Sequence, residues 1–147
     1  MTTQRFLVVD DDPALRSLLQ QYLESRGHNV ETAENGRVAL TKLDQTVYDV
    51  VLLDYKMPEV NGLRVLRHIR QHCPSLAVVM MTGERGSHVA VQSLVALGAQ
   101  ACLFKPFDPQ DLERILESTS ADTVPSRRLG QFSHSAESTG RCEPWNA

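Results

Sequence analysis

Val50-Val51-Leu52-Leu53-Asp54-Tyr55-Lys56-Met57-Pro58 is the stretch on which the reading of this chain turns. Four consecutive apolar residues leave no polar face for solvent, so they fit a strand covered on both sides, as strands of parallel sheets are. The run ends on a carboxylate, followed by a segment closed by proline. One acid is thereby presented where a buried strand gives way to a loop, the edge at which open α/β sheets keep their chemistry. Three other apolar runs end in a similar way. Phe6-Leu7-Val8-Val9 leads into Asp10-Asp11-Asp12, Leu76 to Met81 into Thr82, and Ala101 to Phe104 into Lys105. The strand ends offer acids, a hydroxyl and an amine.

Helical patterns separate these runs. Pro13 with Leu15, Leu18, Leu19, Tyr22 and Leu23 gives a helix with one apolar stripe, and Gly27 is placed to end it in a left-handed cap. Asp12, directly before Pro13, reads as the cap of that helix. His28 to Ala33 is a short second strand, and Asn35 to Leu43 a short helix with Val38, Ala39 and Leu43 inward. After the loop from Pro58 to Gly62, Leu63, Leu66, Ile69 and Arg70 keep helical spacing. His88 to Leu97 is a helix stopped by Gly98, and Asp108 caps a last helix with Pro109 in its first turn and Leu112, Ile115 and Leu116 inward. Five strands alternate with five helices. Such alternation implies a parallel sheet with helices on both faces, because right-handed crossovers return each strand parallel to the last.

The 147 residues allow one domain of ordinary size and a tail. An apolar fraction of 41% with 22% charged residues is that of a soluble globular protein, and a net charge of -3 argues against nucleic acid held by bulk electrostatics. The first apolar run is too short and too acidic at its end for a signal peptide, and no segment approaches membrane-spanning length, so a cytoplasmic location is expected. Cys73, Cys102 and Cys142 lack CxxC spacing, which suggests neither a disulfide framework nor a zinc site; free thiols are expected. The globular unit is expected over residues 1 to 118. Residues 119 to 147, rich in Ser, Thr, Gly, Pro and Arg, show no periodicity and read as a mobile tail. They carry no helix-turn-helix pattern and no basic concentration, which argues against DNA binding.

With the first and third strands adjacent at the sheet centre, Asp10, Asp11 and Asp54 meet in one crevice. Three carboxylates in so small a space repel, and a hard divalent cation with oxygen ligands, magnesium above all, relieves them while leaving positions open for phosphate oxygens. Lys105 and Thr82 add a fixed positive charge and a hydroxyl donor, which is what a phosphoryl group needs. Other features carry less. His68 and His72 lie four apart on a helix with no third ligand in view, and Gly83-Glu84-Arg85-Gly86 lacks the Lys-Ser or Lys-Thr of a P-loop.

Asp10-Asp11, Asp54 to Pro58 with Gly62 beyond, Thr82-Gly83 and Lys105-Pro106-Phe107, in this order and each at a strand end, resemble a response-regulator receiver domain of the stand-alone, chemotaxis-regulator kind. The resemblance covers residues 5 to about 118. It implies a flavodoxin-like, doubly wound, five-stranded parallel sheet of order 2-1-3-4-5 with five flanking helices. It implies that Asp54 is the phosphoacceptor, taking a phosphoryl group from a histidine of a sensor kinase or a histidine phosphotransfer protein in a two-component or phosphorelay system. Magnesium would be held by Asp11, Asp54 and the backbone carbonyl of Lys56, with Asp10 helping through water. Lys105 would pair with the phosphoryl oxygens, Thr82 would move to hydrogen-bond them, and a cis Lys105-Pro106 bond would aim the lysine inward. Such a chain is a phosphoacceptor with slow autodephosphorylation rather than an enzyme. It would signal to a downstream protein through its surface, without DNA or membrane, as a monomer or a phosphorylation-dependent dimer.

One position departs from the family pattern. Cys102 stands three residues before Lys105, where the family usually has an aromatic side chain whose rotation accompanies the threonine's movement. Lys56 and Glu84 are expected to frame the entrance, where an ion pair between them would tune phosphoryl lifetime. Two other functions compete. A haloacid-dehalogenase-like phosphohydrolase needs a second acid two residues after its nucleophile, where this chain has Lys56. A pseudo-receiver would bind partners without phosphorylation.

Overall fold

The computed structural model describes residues 3–83, 92 and 94–121, with side chains to residue 117. Five strands, β1 (Arg5–Val9), β2 (Asn29–Ala33), β3 (Val50–Asp54), β4 (Ala77–Thr82) and β5 (Ala101–Phe104), form one parallel sheet in the order β2-β1-β3-β4-β5. The helices α1 (Pro13–Ser25), α2 (Gly36–Gln45), α3 (Gly62–His72) and a last helix (Pro109–Ala121) join or follow them. Between β4 and β5 residues 92 and 94–96 are helical, which marks the fifth helix; the rest of the expected helix from His88 lies outside the described residues. No helix among the described residues is long and apolar enough to cross a membrane.

The pleat sorts the continuous apolar runs onto two faces. Leu7, Val9, Val51, Leu53, Val78 and Met80 pack with Ala39 and Leu43 of α2 and Val65, Leu66 and Ile69 of α3. Phe6, Val8, Val50, Leu52, Val79 and Met81 pack with Leu19 and Leu23 of α1 and Leu112 of the last helix. Successive residues point to opposite faces, so every position of a central strand is buried and an all-apolar run is what that requires. A fully buried leucine contributes about 1.5–3 kcal/mol over an exposed one, and Leu52 and Leu53 do so on opposite faces.

Caps set where the helices begin. The side chains of Asp12, Asn35 and Asn61 accept from the backbone N–H of Ala14 (3.0 Å), Val38 (2.8 Å) and Arg64 (3.1 Å). Asp108 accepts from Gln110 (2.9 Å) and Asp111 (3.1 Å) at the last helix. These bonds satisfy donors that a helix start otherwise leaves without partners. Gly27, at φ 91°, lies just past the end of α1 as expected. The Lys105-Pro106 bond is cis, as the resemblance implies.

One expectation shifts. The last helix runs through Thr119 to Ala121, beyond the expected boundary at 118, because Thr, Ser and Ala there continue a helix already started by its buried face. Residues 122–147, including Trp145 and the rest of the expected tail, lie outside the described residues. Cys102 is a free thiol and Cys73 is wholly buried just after α3, while Cys142 lies outside the described residues.

The loop from Asp54 to Gly62 is tightly seated. Gly62 donates its N–H to the Tyr55 carbonyl at 2.9 Å, and a Cβ on Gly62 would lie 2.2 Å from the Asp54 carbonyl oxygen. Gly62→Ala is therefore expected to destabilise the protein by about 1–3 kcal/mol through overpacking, read as a lower urea midpoint at unchanged slope.

Candidate functional site

Val9 lies opposite Leu53 in the β1–β3 register, so the next residues, Asp10 and Asp54, stand level at the carboxyl edge of the two central strands. Asp10 continues the parity of Phe6 and Val8, and Asp54 that of Val50 and Leu52, so both project toward the α1 side. Asp10 has no solvent exposure and Asp54 only 4%. Asp11 is exposed, yet carboxylate oxygens of Asp10, Asp11 and Asp54 all lie within 4.8 Å of one another.

Lys105 reaches this cluster from β5. Met81 is opposite both Asp54 and Leu103, which puts Lys105 two positions beyond the Asp54 row, roughly 7 Å along the strand direction. A lysine side chain spans that distance. Its Nζ donates to Asp10 Oδ2 at 2.7 Å and to Asp54 Oδ1 at 3.2 Å. Asp10 is held further by the Asp12 N–H, which donates to its Oδ1 at 2.9 Å, and by Arg16 Nη1, which donates to its carbonyl at 2.7 Å.

Burial, and then the neighbouring Asp10 carboxylate, push the Asp54 carboxyl up to about 6, although Lys105 pulls the other way. For Lys105, burial alone would lower its pKa, but its bonds to Asp10 and Asp54 outweigh burial and the net shift is upward. The amine stays charged. An acid poised this way is uncomfortable as a buried anion, and a hard cation among the three carboxylates would relieve it. The donor set, all carboxylate oxygen and open to solvent at Asp11, fits magnesium.

Thr82 is 5% exposed at the end of β4, one residue past the partner of Asp54, and its carbonyl accepts the Lys105 N–H at 2.8 Å. Lys56 is exposed on the loop after β3, in a shallow cleft of ≈ 500 Å³ lined also by Tyr55, Met57, Pro58 and Asn61. Its expected partner Glu84 lies outside the described residues. The rings of His68 and His72 stand 4.9 Å apart, but among the described residues the Asp10, Asp11, Asp54 group is the one found with three potential metal donors. Cys102 is half-buried, and burial pushes its thiol up, away from thiolate chemistry. Two contacts were not foreseen from the residues alone. Asp10 pairs directly with Lys105, which its shared parity with Asp54 could have indicated, and Arg16 reaches back from the first turn of α1.

Residues 6–117 match the family model of the response regulator receiver domain. The chain belongs to the response-regulator receiver family. Among related receiver-bearing proteins, the transcriptional regulatory protein CpxR homolog of Haemophilus influenzae is 44% identical over 108 residues, covering 74% of this chain and 46% of that protein. The transcriptional regulatory protein ZraR of Escherichia coli is 38% identical over 117 residues, 80% of this chain and 26% of that protein. The chain thus spans less than half the length of these relatives. Among solved receivers, the chemotaxis response regulator CheY4 of Vibrio cholerae aligns with a TM-score of 0.75 at 33% identity, over 80% of this chain and 98% of that one. The response regulator TrrA of Thermotoga maritima, solved in complex with Mg(2+)-BeF, aligns at 0.71 and 33%, over 79% and 98%.

The Asp54 environment has a consequence for stability. Its carboxyl sits near 6 in the folded chain against an ordinary 3.8, so the folded state binds the proton more tightly. Below about pH 4 the group is protonated in both states and costs nothing; above about pH 6 it is ionised in both, and the cost, up to about 3 kcal/mol, is fully present. Without magnesium, Asp54→Asn is expected to be more stable than the wild type by about 1–3 kcal/mol at about pH 8, the advantage vanishing near pH 4. Urea midpoints across that range check it, and an advantage that grows with acid would refute the sign.

Proposed function

We propose that this receiver is a phosphorylation-driven regulator in which Asp54 is the phosphoacceptor, charged by a sensor histidine kinase or a histidine phosphotransfer protein. The observation that carries the reading is the meeting of Asp10, Asp11 and Asp54 with the Lys105 ammonium at the carboxyl edge of the central strands. An Asp54 carboxylate oxygen attacks phosphorus, the bond from phosphorus to the donor's imidazole nitrogen breaks, and that nitrogen recovers its lone pair. Asp11, Asp54 and the Lys56 carbonyl would hold magnesium, with Asp10 assisting through water. Bound there, the ion supplies positive charge against the phosphoryl oxygens. Lys105 exchanges its contact with Asp54 for one with the phosphoryl group while keeping Asp10, and the Thr82 hydroxyl donates to another oxygen.

The product is a modified state of the protein, consumed in signalling rather than turned over. We place it in the cytoplasm and read its output as protein contact, with no DNA or membrane partner, as a monomer or a phosphorylation-dependent dimer. The curated relatives named as transcriptional regulators extend well beyond the shared region, and their output is not carried over. A phosphohydrolase is disfavoured because the second acid it needs is replaced by Lys56.

Incubation with acetyl phosphate and magnesium is expected to add one phosphoryl group in intact-protein mass, lost in Asp54→Ala and without metal. Lys105→Ala should slow the gain by about 100-fold, in line with removal of one fixed donor to a developing anion. No gain by the wild type under any condition would instead favour a phosphorylation-independent pseudo-receiver.

A further inference from the structure

Asp11 is the member of the acidic trio that the structure leaves to its backbone. Lys105 restrains the carboxylates of Asp10 and Asp54, but among the described residues no hydrogen bond or ion pair holds the exposed Asp11 side chain. Its oxygens nevertheless lie within 4.8 Å of those of two other acids, a placement that charge repulsion opposes. What keeps it there must act through the main chain.

That main chain has just left the sheet. The Asp10 N–H still bonds to the Ala33 carbonyl at 3.2 Å, but β1 ends at Val9 and the Asp10 carbonyl, part of the Asp10-Asp11 peptide, has passed the last strand pairing. Arg16 takes it up. Its Nη1 donates to the Asp10 carbonyl at 2.7 Å, while its own backbone N–H bonds to the Asp12 carbonyl at 3.0 Å. One residue of α1 thus ties both ends of the Asp10-Asp11-Asp12 turn to a rigid helix.

We propose that Arg16 is a positioning residue for the acidic pocket, fixing the Asp10-Asp11 peptide so that the Asp11 carboxylate stands where magnesium needs it. The inference rests on the reading of Asp10, Asp11 and Asp54 as the magnesium site. It has a sign that charge alone does not share. A guanidinium bound at the Asp10 carbonyl adds positive charge near the acidic pocket and weakens cation binding by repulsion, so removing it would tighten magnesium if charge were its main effect. If orientation is its main effect, removing it loosens magnesium.

Titration calorimetry of the full chain with magnesium chloride separates these. Arg16→Met, which keeps the apolar stem and removes donor and charge, is expected to bind magnesium about tenfold more weakly, as for residues that orient metal ligands. Arg16→Lys, which restores a charged donor, is expected to return to within about threefold of the wild type. With acetyl phosphate as donor, the methionine variant should need more magnesium to reach half its maximal rate, while its rate at saturating metal stays within about twofold of wild type. Should Arg16→Met fail to fold at the assay temperature, Arg16→Gln takes its place with the same expected loss. A variant that binds magnesium as the wild type does, or more tightly, overturns this inference alone. A wild type that binds no magnesium overturns the metal-site reading and this inference with it.

Discussion

Two carboxylates held level on adjacent, fully covered strands are tolerable only if a cation joins them, and Lys105 is that cation. Its Nζ lies 2.7 Å from Asp10 and 3.2 Å from Asp54, both of them nearly cut off from water. Removing one partner from such an arrangement leaves charge without compensation, which costs far more than an exposed ion pair is worth. The carboxyl edge of the sheet is therefore electrostatically closed at rest, yet not comfortably so. Asp54 remains the least satisfied of the group, displaced toward neutrality by burial and by Asp10.

That discomfort is what makes the edge responsive. A group stabilised in its resting state would gain little from a cation or a phosphoryl group, whereas one held partly unsatisfied gains when either arrives. The cost falls on folding stability, and the two apolar layers beneath offset it. Phe6 to Val9, Val50 to Leu53 and Val78 to Met81 are buried on alternating faces, and their packing against the helices holds the acids in place. The loop that leaves Asp54 is equally constrained, since Gly62 sits against the Asp54 carbonyl and Gly36 against Val60. Small residues are needed there because two backbones approach too closely for a Cβ.

Much of this was legible in the residues. The apolar runs located each strand to within a residue or so: β2 begins at Asn29 rather than His28, and β4 covers Ala77–Thr82 rather than Leu76 to Met81. Asp12 and Asp108 cap helices where their sequence neighbours indicated. The end of the last helix was placed too early because Thr119 and Ser120 have weak helix propensity, while a helix continues wherever its preceding turns are already packed.

The sequence by itself determined the alternation of elements, the chemistry at each strand end and the family, since apolar period, caps and short motifs are local properties written in consecutive residues. Which strand end meets which was decided only by the tertiary structure. Asp10, Asp54 and Lys105 are far apart along the chain, and their contact depends on strand order and register, where a shift of one residue would turn each side chain to the opposite face. The sharing of Lys105 between two acids, the upward shift of Asp54 and the reach of Arg16 to the Asp10 carbonyl all follow from that register, because electrostatic and hydrogen-bond energies depend on distance in space and on burial, neither of which a linear sequence states.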